Sequence, residues 1–373
     1  METKNHNGNH LDHQVTGDAT NEMSYKMENR GVDSETAGMM SETEHGGKWT
    51  GLCSGLIMVF VLSVLFLTAG AWVQSRDVNS GILITEFGLI MGGSLIYALL
   101  MRERITDFFR LKKAKFSVYV KVFFMSFFMM PIAAFLNGIM IFLIQKFGRF
   151  SAPEIPIPEE VSGLLGSLFI IAVSAGVCEE FMFRGALMSS FERRLGRRKA
   201  AFLAALFFGL FHFNLGNLLS PIALGLVFAY VTQVTGSIFP AMFGHFMNNA
   251  NAVMLSFFIQ RFTEPESILN EGDPMVQMAE ITPSQIMVVF CIIIAILVVC
   301  VLAVKALLRS IRRSYPKRVA DLYETEVEDK YDYPTPEYSL WKKQPGRIGV
   351  TAMGGILLYV AVYGYLSYLT FFS

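Results

Sequence analysis

Residues 168–188 read LFIIAVSAGVCEEFMFRGALM, an apolar run interrupted by Glu179, Glu180 and Arg184. One reading makes this a helix end, with residues 179–193 emerging as an amphipathic segment at a surface. Arg193 and Arg194 fit that reading. Glu179 does not, because Phe181, Met182, Phe183, Leu187 and Met188 keep the chain apolar for two more turns. A Glu or Arg at mid-bilayer costs about 2.5–3.5 kcal/mol even on a forgiving insertion scale. Charges retained in such a run therefore point to a polar centre inside a membrane protein.

The rest of the chain supports a membrane assignment. It is 53% hydrophobic and 17% charged over 373 residues, with 33 Phe and 21 Met, outside the norm for soluble domains. A spanning helix needs about 20 mainly apolar residues. Nine segments qualify: 52–73, 81–101, 116–145, 161–184, 200–214, 218–235, 237–259, 285–308 and 348–372. The expected fold is an all-α polytopic bundle of eight or nine transmembrane helices. Pro131 predicts a kink or a surface extension in the third. Asn214-Leu215-Gly216-Asn217 predicts a tight turn between two short antiparallel helices.

Four regions are expected. Residues 1–48 form a disordered acidic tail, 49–150 the N-terminal helices, 151–260 the catalytic core, and 261–373 the C-terminal helices with a loop around 309–347. The tail lacks a basic start followed by an apolar core, so the first span is expected to act as an uncleaved anchor. Lys and Arg cluster at 102–115, 193–199 and 305–318, whereas the connection after Phe258 is acidic. The positive-inside rule puts the basic connections and the N-terminus in the cytoplasm. The formal net charge is zero, and no nucleic-acid partner is expected. Cys53, Cys178, Cys291 and Cys300 show no disulfide or CxxC spacing. Two carboxylates follow Cys178 and oppose its ionisation, so it reads as a small hydrophobe.

Three helical motifs remain. Glu180 and Arg184 are four apart and can pair, leaving Glu179, about 100° around the helix, free to work as a base. His212 lies among aromatics in Phe208-Gly209-Leu210-Phe211-His212-Phe213, where Gly209 lets another helix approach. His245 and Asn249 share a face in Gly244-His245-Phe246-Met247-Asn248-Asn249. Each histidine alone reads as structural. Three titratable groups on three apolar segments, within about 12–18 Å of the basic boundaries at 1.5 Å per residue, can converge.

In this order EExxxR, FxxxH and HxxxN resemble the CPBP family, the CAAX-protease-like or Abi intramembrane endopeptidases. The similar region covers about residues 160–260. The resemblance implies Glu179 as general base for a water held with His212. It also implies that His245 and Asn249 bind the water or the oxyanion, with Glu180, Arg184 and Phe208 in support. Glu179, His212 and His245 are the candidate ligands if a Zn2+ takes part, although HExxH is absent and the same groups can activate water without a metal. The expected partners are the lipid bilayer and a membrane-associated peptide or protein substrate, in what the resemblance suggests is a bacterial cell membrane. The oligomeric state is left open. A non-proteolytic scaffold or immunity protein of the same fold is the alternative. A proton-coupled transporter is the other, although no inverted repeat is visible.

Overall fold

The computed structural model describes residues 51–147, 160–262 and 282–320, together with 359, 363 and 364. Eight of the nine expected segments are helical here. α1 (Leu52–Gln74), α2 (Val78–Leu100) and α3 (Phe116–Gln145) come first. α4 (161–195) and α5 (197–210) form one 50-residue stretch broken at Gly196, where φ is 70° and ψ 167°. A side chain at that dihedral pair is strained, so a glycine sits at the reversal. α6 (Leu219–Thr235) ends on Gly236 in the left-handed conformation, and α7 (Phe239–Phe262) follows. α8 (Pro283–Arg313) starts with a capping box between Thr282 and Gln285 and with Pro283 in its first turn.

Six helical stretches among the described residues are long and apolar enough to cross a membrane. The difference from the expected eight or nine has identifiable origins. α4 and α5 count as one stretch across the Gly196 break. α7 is long enough but carries His245, Asn248, Asn249 and Asn251. Apart from residues 359, 363 and 364, the ninth segment lies outside the described residues, as do the tail and most of the 309–347 loop. The molecule is a multi-pass helical membrane protein, a fold in which every backbone polar group in the apolar layer can be satisfied within its own helix.

α3 runs through Pro131 as one 30-residue helix, about 45 Å long and so longer than the roughly 30 Å hydrocarbon layer. α5 is the opposite case, since its 14 residues span only about 21 Å. The turn after it must lie at membrane depth, where irregular backbone is tolerated only against protein. Asn214 caps the turn by accepting from the Asn217 amide, and Asn137 on α3 donates to Asn217 Oδ1 at 3.0 Å.

The three basic connections meet at one end of the bundle. Arg110 pairs with Glu192, Lys115 Nζ donates to the Ser314 carbonyl at 2.7 Å, and Arg318 Nε donates to the Gln233 carbonyl at 3.0 Å. Gln233 donates in turn to Glu192 at 2.8 Å. These links tie α3, α4, α6 and α8 together on one side.

Candidate active site

Four stretches of the long helices widen into π-turns: 66–70, 84–91, 168–173 and 181–187. Such turns concentrate at functional sites because they shift side chains off the regular helical face. The Glu179-Glu180 pair ends the regular stretch immediately before the fourth.

Glu180 is fully buried and Arg184 is 1% exposed. Arg184 Nη1 donates to Glu180 Oε1 at 2.7 Å, so the expected i,i+4 pair forms. The guanidinium lies over Phe208 at 4.3 Å and near Phe228 at 5.5 Å, a setting in which ring quadrupoles offset part of its lost hydration. Glu180 Oε1 also accepts from His245 Nδ1 at 3.0 Å. A carboxylate only accepts, so Nδ1 carries a proton and Nε2 is the ring nitrogen turned away from Glu180. That Nε2 stands 3.8 Å from Glu179 Oε2. Glu180 Oε1 is thus committed to Arg184 and His245, while the Oε2 atoms of both glutamates are buried without a hydrogen-bond partner.

His212 departs from its expected place on a helix face. α5 ends at Leu210, and His212 lies in the turn beyond it. Its Nδ1 donates to the Phe208 carbonyl at 2.8 Å, one of the four carbonyls that a helix end leaves without an intrahelical donor. FxxxH is therefore a helix-end cap made by an imidazole. A carbonyl only accepts, so Nδ1 carries the proton and Nε2 is the ring nitrogen left to meet a water. Phe213, next in the turn, takes a φ of 47°, uncommon for an aromatic residue. Phe208 packs edge-on against both His212 and His245, at 5.1 and 5.5 Å between ring centroids.

Asn249 Nδ2 donates to the Ile171 carbonyl at 3.3 Å, and its Oδ1 accepts from Asn248. It ties α7 to the wide turn 168–173 of α4, one helical turn beyond His245. The close approach of these helices depends on Gly176: a Cβ there would stand 2.9 Å from the Phe246 nitrogen and 3.2 Å from the Met242 carbonyl. Cys178 is buried in the apolar cluster, and all four cysteines are free.

Among the described residues no three His, Cys, Asp or Glu side chains form a group able to hold a metal ion.

Glu86 on α2 escaped the sequence reading. It is 7% exposed, it sits in the π-turn 84–91, and its Oε2 is buried without a hydrogen-bond partner. That turn packs on the 174–180 stretch of α4, which ends in Glu179 and Glu180. The available signal was a lone acid in some 20 apolar residues, as costly there as Glu179. It went unnoticed because no base lies three or four residues away.

The fold and the site define a multi-pass membrane protein with an ionisable Glu–Arg–His centre inside its helical bundle. Residues 161–251 match the family model described as Type II CAAX prenyl endopeptidase Rce1-like, consistent with the CPBP resemblance that the three motifs carry. The matched segment contains every motif residue from Glu179 to Asn249; α1, α2, α3 and α8 lie outside it. No curated protein and no solved structure matches the chain.

Proposed function

We propose that this protein is an intramembrane endopeptidase that hydrolyses a peptide bond of a membrane-associated peptide or protein with a glutamate-activated water. One observation carries the reading: Oε1 of Glu180 is held by both Arg184 and His245, whereas Glu179 has neither hydrogen bond and stands with Oε2 3.8 Å from His245 Nε2. A carboxylate so placed, inside a segment that matches an endopeptidase family, is suited to general-base work.

In this reading a water lies between Glu179 and the acceptor Nε2 of His212. Glu179 takes one water proton as the oxygen attacks the scissile carbonyl carbon, and the carbonyl π electrons move to oxygen. The oxyanion is met by a donor from the His245–Asn249 face, such as the second Nδ2 hydrogen of Asn249. Groups already held in place stabilise the developing charge without reorganising at the moment of reaction. Collapse re-forms the carbonyl, breaks the C–N bond, and returns the proton from Glu179 to the leaving nitrogen. Arg184 and Glu180 touch no reacting atom; they hold His245. The basic end of the bundle faces the cytoplasm, where lysines and arginines are retained, and substrate enters from that side or laterally between helices.

The test uses the purified full chain in nanodiscs with membrane-associated peptide substrates. Wild type cleaves, and Glu179→Gln and His212→Ala do not. Full cleavage by either variant ends the assignment. A folded wild type that cleaves nothing, with a cellular phenotype unchanged by Glu179→Ala, supports the scaffold reading instead.

A further inference from the structure

The turn that carries His212 is met by rings from outside the matched segment. Phe211, His212 and Phe213 follow the end of α5 at Leu210, and Phe213 takes a φ of 47°. A bulky residue stays in that region only where its surroundings over-determine it. Two rings meet it from other elements. Phe66, where the first π-turn of α1 begins, stacks on Phe213 at 6.2 Å between centroids with 19° between planes, and it meets Phe211 at 5.3 Å. Tyr363 meets Phe213 at 6.2 Å and 34°. These separations lie in the range of attractive ring pairs.

The tyrosine has its own anchor. Tyr359 and Tyr363 are helical, four positions apart and each 4% exposed, so they share a face. Tyr359 packs edge-on against Phe207 of α5 at 5.2 Å, and its hydroxyl lies 3.0 Å from Ser63 Oγ on α1. Ser63 donates its one hydroxyl proton to the Val59 carbonyl at 2.7 Å, so the phenol is the donor in that pair. Ser63 and Phe66 are three apart on α1, which sets the hydrogen bond about one helical turn from the ring stack. Phe66 and Tyr363 both fall outside the matched residues 161–251.

We propose that Phe66 and Tyr363 are positioning residues for His212: their rings brace Phe213 at its positive φ, which keeps the imidazole on the Phe208 carbonyl and Nε2 presented to the site. The Ser63–Tyr359 bond fixes where the two rings stand. This rests on the reading of His212 as the residue that holds the water, and deepens it. Neither ring touches a reacting atom.

Two measurements on the full chain in nanodiscs test the brace. Amide hydrogen exchange is followed by mass spectrometry on peptides covering 211–218 and 174–184. Phe66→Ala and Tyr363→Ala should each raise exchange at 211–218 several-fold and leave 174–184 as in wild type. Leu56→Ala, a buried change about 15 Å along α1 from Phe66, should leave exchange at 211–218 unaltered. Kinetics supply the second arm. Each of the two ring deletions lowers kcat about tenfold or more, within the roughly hundredfold that a small misplacement of a reacting group can cost, with KM within about twofold. Tyr363→Phe, which keeps the ring, recovers most of that loss. Unchanged exchange at 211–218, an equal rise in both peptides, a Leu56→Ala variant that loosens 211–218 as much, or a Tyr363→Phe variant as slow as Tyr363→Ala overturns the proposal. Exchange needs no turnover. If wild type cleaves nothing, it still decides whether the rings hold the turn, while the hydrolytic reading fails separately.

Discussion

The molecule holds two polar clusters built from the same residue types. At the basic end of the bundle, Arg110, Glu192, Gln233, Arg193 and Glu103 join the connections. Deep between α4, α5 and α7, Arg184, Glu180, His245 and Glu179 do something different with similar groups. The first cluster is only partly sealed, with Arg193 36%, Glu192 16% and Arg110 14% exposed, so water reaches Arg193 when its partner is lost. The second has Arg184 and Glu180 at 1% and 0%, where no replacement exists. The position of a charge therefore decides whether it serves as a tether or as a structural necessity.

Removing one partner of the deep pair should have the largest effect. Arg184→Met leaves Glu180 and the His245 contact without a cation, and breaking a buried pair in this way costs about 3–5 kcal/mol. Thermal denaturation in detergent should show a large fall in the melting temperature or no folded protein. A variant as stable as wild type would place the two clusters on the same footing.

Glu179→Gln sharpens the comparison within the deep cluster. Glu179 Oε2 has no hydrogen-bond partner to lose, so folding should be retained while cleavage falls by about two to four orders of magnitude. Peptide-cleavage kinetics alongside a melting curve separate the two effects. Paired losses of activity and stability would make Glu179 a structural acid like Glu180.

Gly176→Ala acts through geometry alone. Its Cβ meets backbone of α7 rather than a flexible side chain, and such overpacking costs about 1–3 kcal/mol. The α4–α7 separation should widen and His245 should move from the glutamates. Expected is a moderate fall in melting temperature with a larger loss of cleavage; equal activity would show that the helix contact does not set the site.

The smallest effect belongs to the exposed connection. Lys112 Nζ contacts Asp107 at 3.0 Å with both side chains half-exposed or more. Its hydrogen bond holds the Asp107 carboxyl below the ordinary carboxylate range. A depressed folded value means that any stabilisation is present above the unfolded value and fades as pH falls through the folded one. Solvent screens a pair this exposed, so Lys112→Ala should leave the melting temperature unchanged within error at neutral pH. A clear drop would show that the basic end is less solvated than its exposure implies.

The helical bundle was legible because a spanning helix must be long and apolar whatever its neighbours are; eight of the expected segments are helical among the described residues, in six stretches long and apolar enough to span. The Glu180–Arg184 pair was legible for a local reason, since residues four apart on a helix adjoin. His212 was legible as a site candidate but not in its geometry. Periodicity reads His212 as one more helical residue, whereas the chain turns after Leu210 and the imidazole caps the Phe208 carbonyl. Glu86 was passed over because no charged residue lies three or four positions from it on its own helix.

By itself, the sequence determined that the chain spans a membrane many times, which acids and histidines lie in apolar surroundings, and which arginine neutralises Glu180. Each of these follows from composition or from contacts within one helical turn. Only the tertiary structure decided that His245 takes Glu180 rather than Glu179 as its carboxylate, that Gly176 sets the approach of α7, and that α2 delivers a third acid. Those outcomes depend on how helices rotate and shift against one another, and π-turns move side chains to faces that no regular 3.6-residue period predicts.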